Sequence, residues 1–179
     1  LNKDIRLAGV SLIDKGKVFL NLYQLDSSLY YVEKGEALSK SINDSYGILN
    51  AKKVKAKIFF QQKDYDNANL ILKEVESISR RKKSKALLSL TLKDLARIAF
   101  ENNNILEAEK YAKESYDISK EINRLENKMK STKILFQVYE KQKKNVLAIE
   151  KLKEYYVLSD SVFNKKNKKS ILEQEVRLT

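Results

Sequence analysis

Apolar side chains recur along this chain at steps of three and four, in stretches parted by short polar breaks. That spacing lines up one face of an α-helix and not of a strand. Between Lys52 and Gln62 the face is Val54, Ala56, Ile58, Phe59 and Phe60. The break Lys63-Asp64-Tyr65-Asp66-Asn67 is rich in turn-favouring side chains, and a second stripe follows at Ala68, Ile71, Leu72, Val75 and Ile78. Two amphipathic helices around one short turn make a helical hairpin. The pattern returns with Leu92, Leu95, Ala96, Ala99 and Phe100, the turn Asn102-Asn103-Asn104, then Ala108, Tyr111, Ala112, Ser115, Tyr116 and Ile118. It returns again with Ile134, Leu135, Phe136 and Tyr139, a polar break at Lys143 to Asn145, then Ala148, Leu152, Tyr155 and Tyr156.

Ala68, Ala108 and Ala148 lie 40 residues apart, and one more step back falls on Ser28. A fixed period of this size is the signature of a repeat array. Small residues also recur 12 apart, as Ala56 with Ala68 and Ala96 with Ala108; Gly16 with Ser28 keeps the same spacing in the N-terminal copy. Within a hairpin this spacing marks the point of closest helix approach, where only a small side chain fits. In the fourth pair Phe136 stands where the first Ala would be. The hairpins are expected at about 4–42, 44–82, 84–122 and 125–162. Ile171, Leu172 and Val176 keep the register of a terminal helix over 163–179, which would cap an otherwise exposed last hairpin.

Composition sharpens this. The chain has no Pro and only 4 Gly, so strands joined by tight turns are disfavoured. Cys and His are both absent, which removes disulfides, thiolate nucleophiles, imidazole bases and the usual zinc and haem ligands. No stretch of about 18 apolar residues is present. The formal charge of +12 comes mostly from Lys. It reads either as an attractor for anionic partners or as a compositional bias that enriches Lys, Asn and Ile together. The chain begins at Leu1 and ends at Thr179 within a helical pattern, and the expectation is a piece of a longer protein.

Asp64-Tyr65-Asp66-Asn67-Ala68 resembles the G-D-Y-x-x-A turn of tetratricopeptide repeats, with Lys63 in place of the Gly. Together with the small-residue spacing, it gives the chain the look of a tetratricopeptide (TPR) array of the longer-period kind. The Trp of the first helix and the Pro after the second are missing throughout. The resemblance implies an all-α, TPR-like right-handed solenoid of about four hairpins plus a C-terminal capping helix. It also implies a non-catalytic module that binds a protein or peptide. HEAT and armadillo arrays share a period near 40 residues.

In TPR stacks the first helix of each hairpin lines a groove. The resemblance assigns to that groove Lys17, Lys53, Lys57, Lys93, Arg97 and Lys133, a row of cations suited to an acidic peptide. The other reading is Lys filling exposed helix positions. A homodimer stays open, as does a nucleic-acid ligand on the basic groove with tyrosines stacking bases; Tyr30, Tyr31, Tyr155 and Tyr156 fit inter-repeat seams better. No phosphate-binding loop, nucleophile elbow or metal-ligand spacing occurs, and pairs such as Glu74/Glu76 lie on charge-mixed faces, so no enzyme activity, cofactor or metal is expected. The segment Tyr155 to Asn164 resembles the end of TPR sensor regions in membrane-anchored bacterial histidine kinases and helix-turn-helix regulators. That implies an extracytoplasmic array; a cytoplasmic peptide-responsive regulator is the alternative.

Overall fold

The computed structural model describes the backbone of residues 2–178, and every element in it is an α-helix. In chain order they are α1 (Asn2–Asn21), α2 (Leu25–Ser41), α3 (Ser45–Gln61), α4 (Tyr65–Arg81), α5 (Lys85–Glu101), α6 (Ile105–Glu121), α7 (Leu125–Lys141) and α8 (Asn145–Leu178). The all-α reading holds: consecutive helices pair as hairpins, α1 with α2, α3 with α4, α5 with α6 and α7 with α8. Packing divides the chain into two compact units, Leu1–Arg81 and Lys82–Thr179, each built of two hairpins.

The turns explain the period. Tyr23, Asn43, Lys63, Lys83, Asn103, Asn123 and Lys143 all have φ between 52 and 62°. These left-handed residues fall every 20 positions, so turns within and between hairpins share one geometry. At six of the seven, the amide of the next residue bonds back to the carbonyl five before it, as in Asp64 N to Phe59 O at 2.9 Å and Asn104 N to Ala99 O at 2.8 Å. This closure satisfies carbonyls that the helix end would leave open, and it requires a left-handed residue that is usually Gly. Asn tolerates the conformation; Tyr23 and the lysines do so at a cost. New helices start immediately, helped by Asp44, whose carboxylate accepts from Tyr46 N, and Asn104, whose side chain accepts from Glu107 N.

In the first unit, α1 and α2 touch through backbone. The Ser28 hydroxyl donates to Gly16 O at 2.8 Å, and a Cβ on Gly16 would lie 2.4 Å from a Val32 methyl. Gly35 is as confined: a Cβ there would lie 2.7 Å from Gly9 O. Ile13, Leu20, Val32, Ala51, Val54 and Ile58 form the core beside this crossing. Ala56, Ala68, Ala96 and Ala108, at the matching positions of the next two hairpins, are all buried.

In the second unit, α5 packs on α6 and α7, and α7 on α6 and α8. Leu92, Leu95, Leu135 and Val138 fill the space between them. A polar layer runs through the α6–α7 seam. The Ser115 hydroxyl donates to Ser89 O at 2.8 Å and lies 2.8 Å from the Ser131 hydroxyl, while Asn127 Nδ2 donates to Ser119 Oγ at 2.7 Å.

At the C-terminal end the structure differs from the expected break at 162. α8 runs unbroken from Asn145 to Leu178, with no separate terminal helix among the described residues. The reason is local: Ser159-Asp160-Ser161 has no left-handed residue after it, and no Gly or Pro intervenes. The side chains of Ile171, Leu172 and Val176, for which a capping register was expected, lie outside the described residues.

Two substitutions test the turn and the crossing. Lys143→Gly is expected to raise stability by about 0.5–1 kcal/mol by relieving the left-handed conformation. Gly16→Ala should lower it by about 1–3 kcal/mol, because Val32 must move. Urea unfolding of each variant measures both.

Candidate functional site

Because α5 and α7 lie side by side in the second unit, residues one period apart on them face the same space. They line an open pocket of about 340 Å³, closed at one side by Tyr155 of α8. Phe100, Met129, Ile134 and Tyr155 supply its apolar surface. Around it stand the cations Lys93, Arg97, Lys130 and Lys133 against the carboxylates Asp94 and Glu101, with the Gln137 amide between.

The cations are not equivalent. Lys93 is tied to Asp94 at 2.5 Å and Lys130 to Glu126 at 2.9 Å. Lys133 is exposed, and its ammonium sits 5.8 Å from the centre of the Tyr155 ring. Arg97 is exposed on α5 one turn beyond Lys93. Both present charge beside apolar surface, where water competes less for an ionic ligand than in bulk. The arrangement can hold an anionic group next to an apolar one. Among the described residues no three His, Cys, Asp or Glu side chains gather as a metal site would need.

Three of the six cations read from the sequence, Lys93, Arg97 and Lys133, thus line one pocket. The other three belong to the first unit. Lys17 on α1 is paired with Asp14 at 2.8 Å, Lys53 on α3 is half-buried, and Lys57 on α3 is exposed. The tyrosines divide differently from the expected seam packing. Tyr155 lines the pocket, Tyr31 stacks on Phe19 at 5.2 Å, and Tyr30 and Tyr156 are exposed. Glu74 and Glu76 do not act together: Glu74 binds Lys52 on α3, and Glu76 pairs with Arg80 at 2.9 Å.

Behind the pocket, one residue from Tyr155, lies a polar node that no local pattern announces. Glu154 on α8 accepts a hydrogen bond from the Tyr116 hydroxyl of α6 at 2.6 Å. It also pairs with Lys128 of α7 at 3.0 Å and Lys151 of α8 at 2.9 Å. Both ammonium groups sit over the Tyr116 ring, at 5.1 and 4.7 Å. Burial by itself would raise the Glu154 carboxyl, but the bonds from Tyr116, Lys151 and Lys128 outweigh it and hold the group down to about 2. Tyr116 moves the other way, since burial and the adjacent carboxylate oppose its ionisation. Glu109 on α6 is also lowered. Burial opposes this, and bonds from Lys113 and from Gln142 of the following turn prevail. In the first unit burial likewise works against Glu36, which Lys40 and Lys55 keep ionised. Each carboxylate joins a second helix to the elements packed against it.

No protein-family model matches the chain, and no curated protein matches it in sequence. Among solved structures it is similar to aspartyl phosphate phosphatase F from Bacillus subtilis, with a TM-score of 0.81 and 18% identity, over 88% of this chain and 41% of that one. It is similar to the apo form of RapI, with a TM-score of 0.79 and 14% identity, over 90% of this chain and 59% of that one. A Podospora anserina putative kinesin light chain with nearly identical TPR-like repeats follows at a TM-score of 0.67 and 15% identity, over 87% of this chain and 76% of that one. The chain therefore spans less than two thirds of the length of the first two structures. At these identities the likeness is one of fold, and that fold is a TPR-like array of helical hairpins.

The Glu154 node carries a pH signature. Its folded-state carboxyl is depressed, so its stabilisation is complete above the ordinary Glu range and is lost as pH falls towards about 2. Glu154→Gln is expected to unfold at lower urea than the parent at pH 7. The gap between the two should close as pH drops from about 5 to about 2, followed by circular dichroism.

Proposed function

We propose that this chain is a non-catalytic binding module of a regulatory protein, and that its second unit captures an acidic, partly apolar peptide segment of a partner protein. The observation that carries this reading is the pocket itself, where Arg97 and Lys133 stand beside the apolar surface of Phe100, Met129, Ile134 and Tyr155. A carboxylate side chain would meet the cations while a neighbouring apolar side chain covers the Phe100–Ile134 surface. Gln137 offers an amide to the peptide backbone. The binding reading draws support from the fold, since helical-hairpin arrays of this shape recur in proteins named as differently as a phosphatase and a kinesin light chain. A place in bacterial signalling, on the outer side of a membrane, is the finer form of the proposal. It rests on the resemblance of the Tyr155–Asn164 segment alone.

The test is fluorescence anisotropy with labelled peptides that alternate Glu or Asp with Leu or Phe, against Lys-containing counterparts of equal length. Binding should favour the acidic series and weaken with salt. Arg97→Glu with Lys133→Glu should raise Kd by about tenfold or more, with helicity unchanged. Equal binding of both series, or capture that survives the double reversal, contradicts the reading.

A further inference from the structure

The second helices of the four hairpins differ in the face they turn away from their own hairpin. In α2 and α6 this register mixes Leu29 with Glu33 and Glu36, and Leu106 and Tyr116 with Glu109 and Lys113, and the next first helix meets its carboxylates: Glu36 meets Lys55 of α3, and Glu109 meets Gln142 at the end of α7. In α4 it carries Asn69, Lys73, Glu76 and Arg80. At the matching positions α8 carries Val146, Ile149, Tyr156 and Phe163, with Lys153 and Asp160 between them. The four apolar side chains are 80, 54, 60 and 64% exposed. Positions 146, 149, 153, 156, 160 and 163 alternate steps of three and four, so they form one narrow stripe along the helix. Lys153 and Asp160 are exposed, and no ion pair joins either to another described residue.

From Ile149 to Phe163 the stripe is its own complement when reversed. Laid antiparallel on an identical helix with the midpoint at Tyr156, Lys153 falls within one residue, about 1.5 Å along the axis, of Asp160 of the second copy, and Asp160 as close to its Lys153. Ile149 falls opposite Phe163 in the same way, and the two Tyr156 rings meet at the centre. A parallel pairing would instead set Lys153 against Lys153 and Asp160 against Asp160. We propose that the outward face of α8 is a self-association surface that takes α8 of a second copy of this chain in antiparallel orientation. The contact is isologous, so it closes as a two-fold dimer and does not propagate. The two central ion pairs fix direction and register, while Ile149, Tyr156 and Phe163 supply buried apolar area.

The experiment is sedimentation equilibrium of the 179-residue chain, joined to charge exchange and cross-linking. The parent should be dimeric at high micromolar concentration. Lys153→Glu alone and Asp160→Lys alone should each weaken the dimer by about tenfold, because either change creates two like-charge contacts. The double exchange should restore it. The chain has no Cys, so Tyr156→Cys should form a disulfide-linked dimer on oxidation. Ile149→Cys should not, because its two copies would lie about 20 Å apart along the helices. A monomer at every concentration overturns the proposal and leaves the stripe to a different partner. So does a dimer indifferent to the charge changes, or one that cross-links through Ile149→Cys.

Discussion

The close approach of paired helices at two small residues twelve apart is the constraint on which this chain depends. Where the contact is tightest, Ser28 donates to Gly16 O at 2.8 Å and no Cβ fits on Gly16 without displacing Val32. Ala56 with Ala68 and Ala96 with Ala108 hold the matching positions, buried in the next two hairpins. Helices packed this closely leave room beside the crossing for the larger apolar side chains of the core. The left-handed turns then set where each helix restarts. With one such residue every 20 positions, the crossing recurs every 40.

From that geometry the site follows. Two hairpins in register bring α5 and α7 together within the second unit, and residues one period apart on them share a surface. The pocket is therefore a product of repetition: Lys93 and Lys133 are the same position in successive copies, as are Arg97 and Gln137. What is not repeated gives it character. Tyr155 stands where α6 has the small, buried Ser115, and its ring supports Lys133 from the side. The neighbouring Glu154 anchors α8 to α6 and α7, so the helix that carries Tyr155 is held by charge as well as by apolar contact.

The fold class was legible because it is written in local spacing. The alanines, the stripes at three and four, and the polar breaks each report on a few neighbouring residues. The turn geometry was only half legible: Asn102 to Asn104 announces a turn, whereas Lys63 and Lys143 carry no mark of a left-handed backbone. Of the site, the sequence placed Lys93, Arg97 and Lys133 on one face of the first helices, and the structure adds the apolar surface between them. Tyr155 lines the pocket and not a seam, and local spacing gives a tyrosine on a second helix no mark that separates the two. The node of Tyr116, Lys128, Lys151 and Glu154 joins three helices, and no spacing rule within one helix can reveal it. The unbroken α8 is hidden for a related reason. Ser159-Asp160-Ser161 has the composition of a turn, but composition does not end a helix unless a residue there adopts the turning backbone.

If steric fit at the crossing governs the fold, adding apolar bulk there must destabilise it even though more hydrophobic surface is buried. The most direct measurement is the urea-unfolding free energy of Ala108→Leu against the parent. The account predicts a loss of about 1–3 kcal/mol with helical content retained at low denaturant. A neutral or stabilising effect would mean that the helices can separate at little cost, which would contradict the small-residue crossing as the constraint that organises the fold.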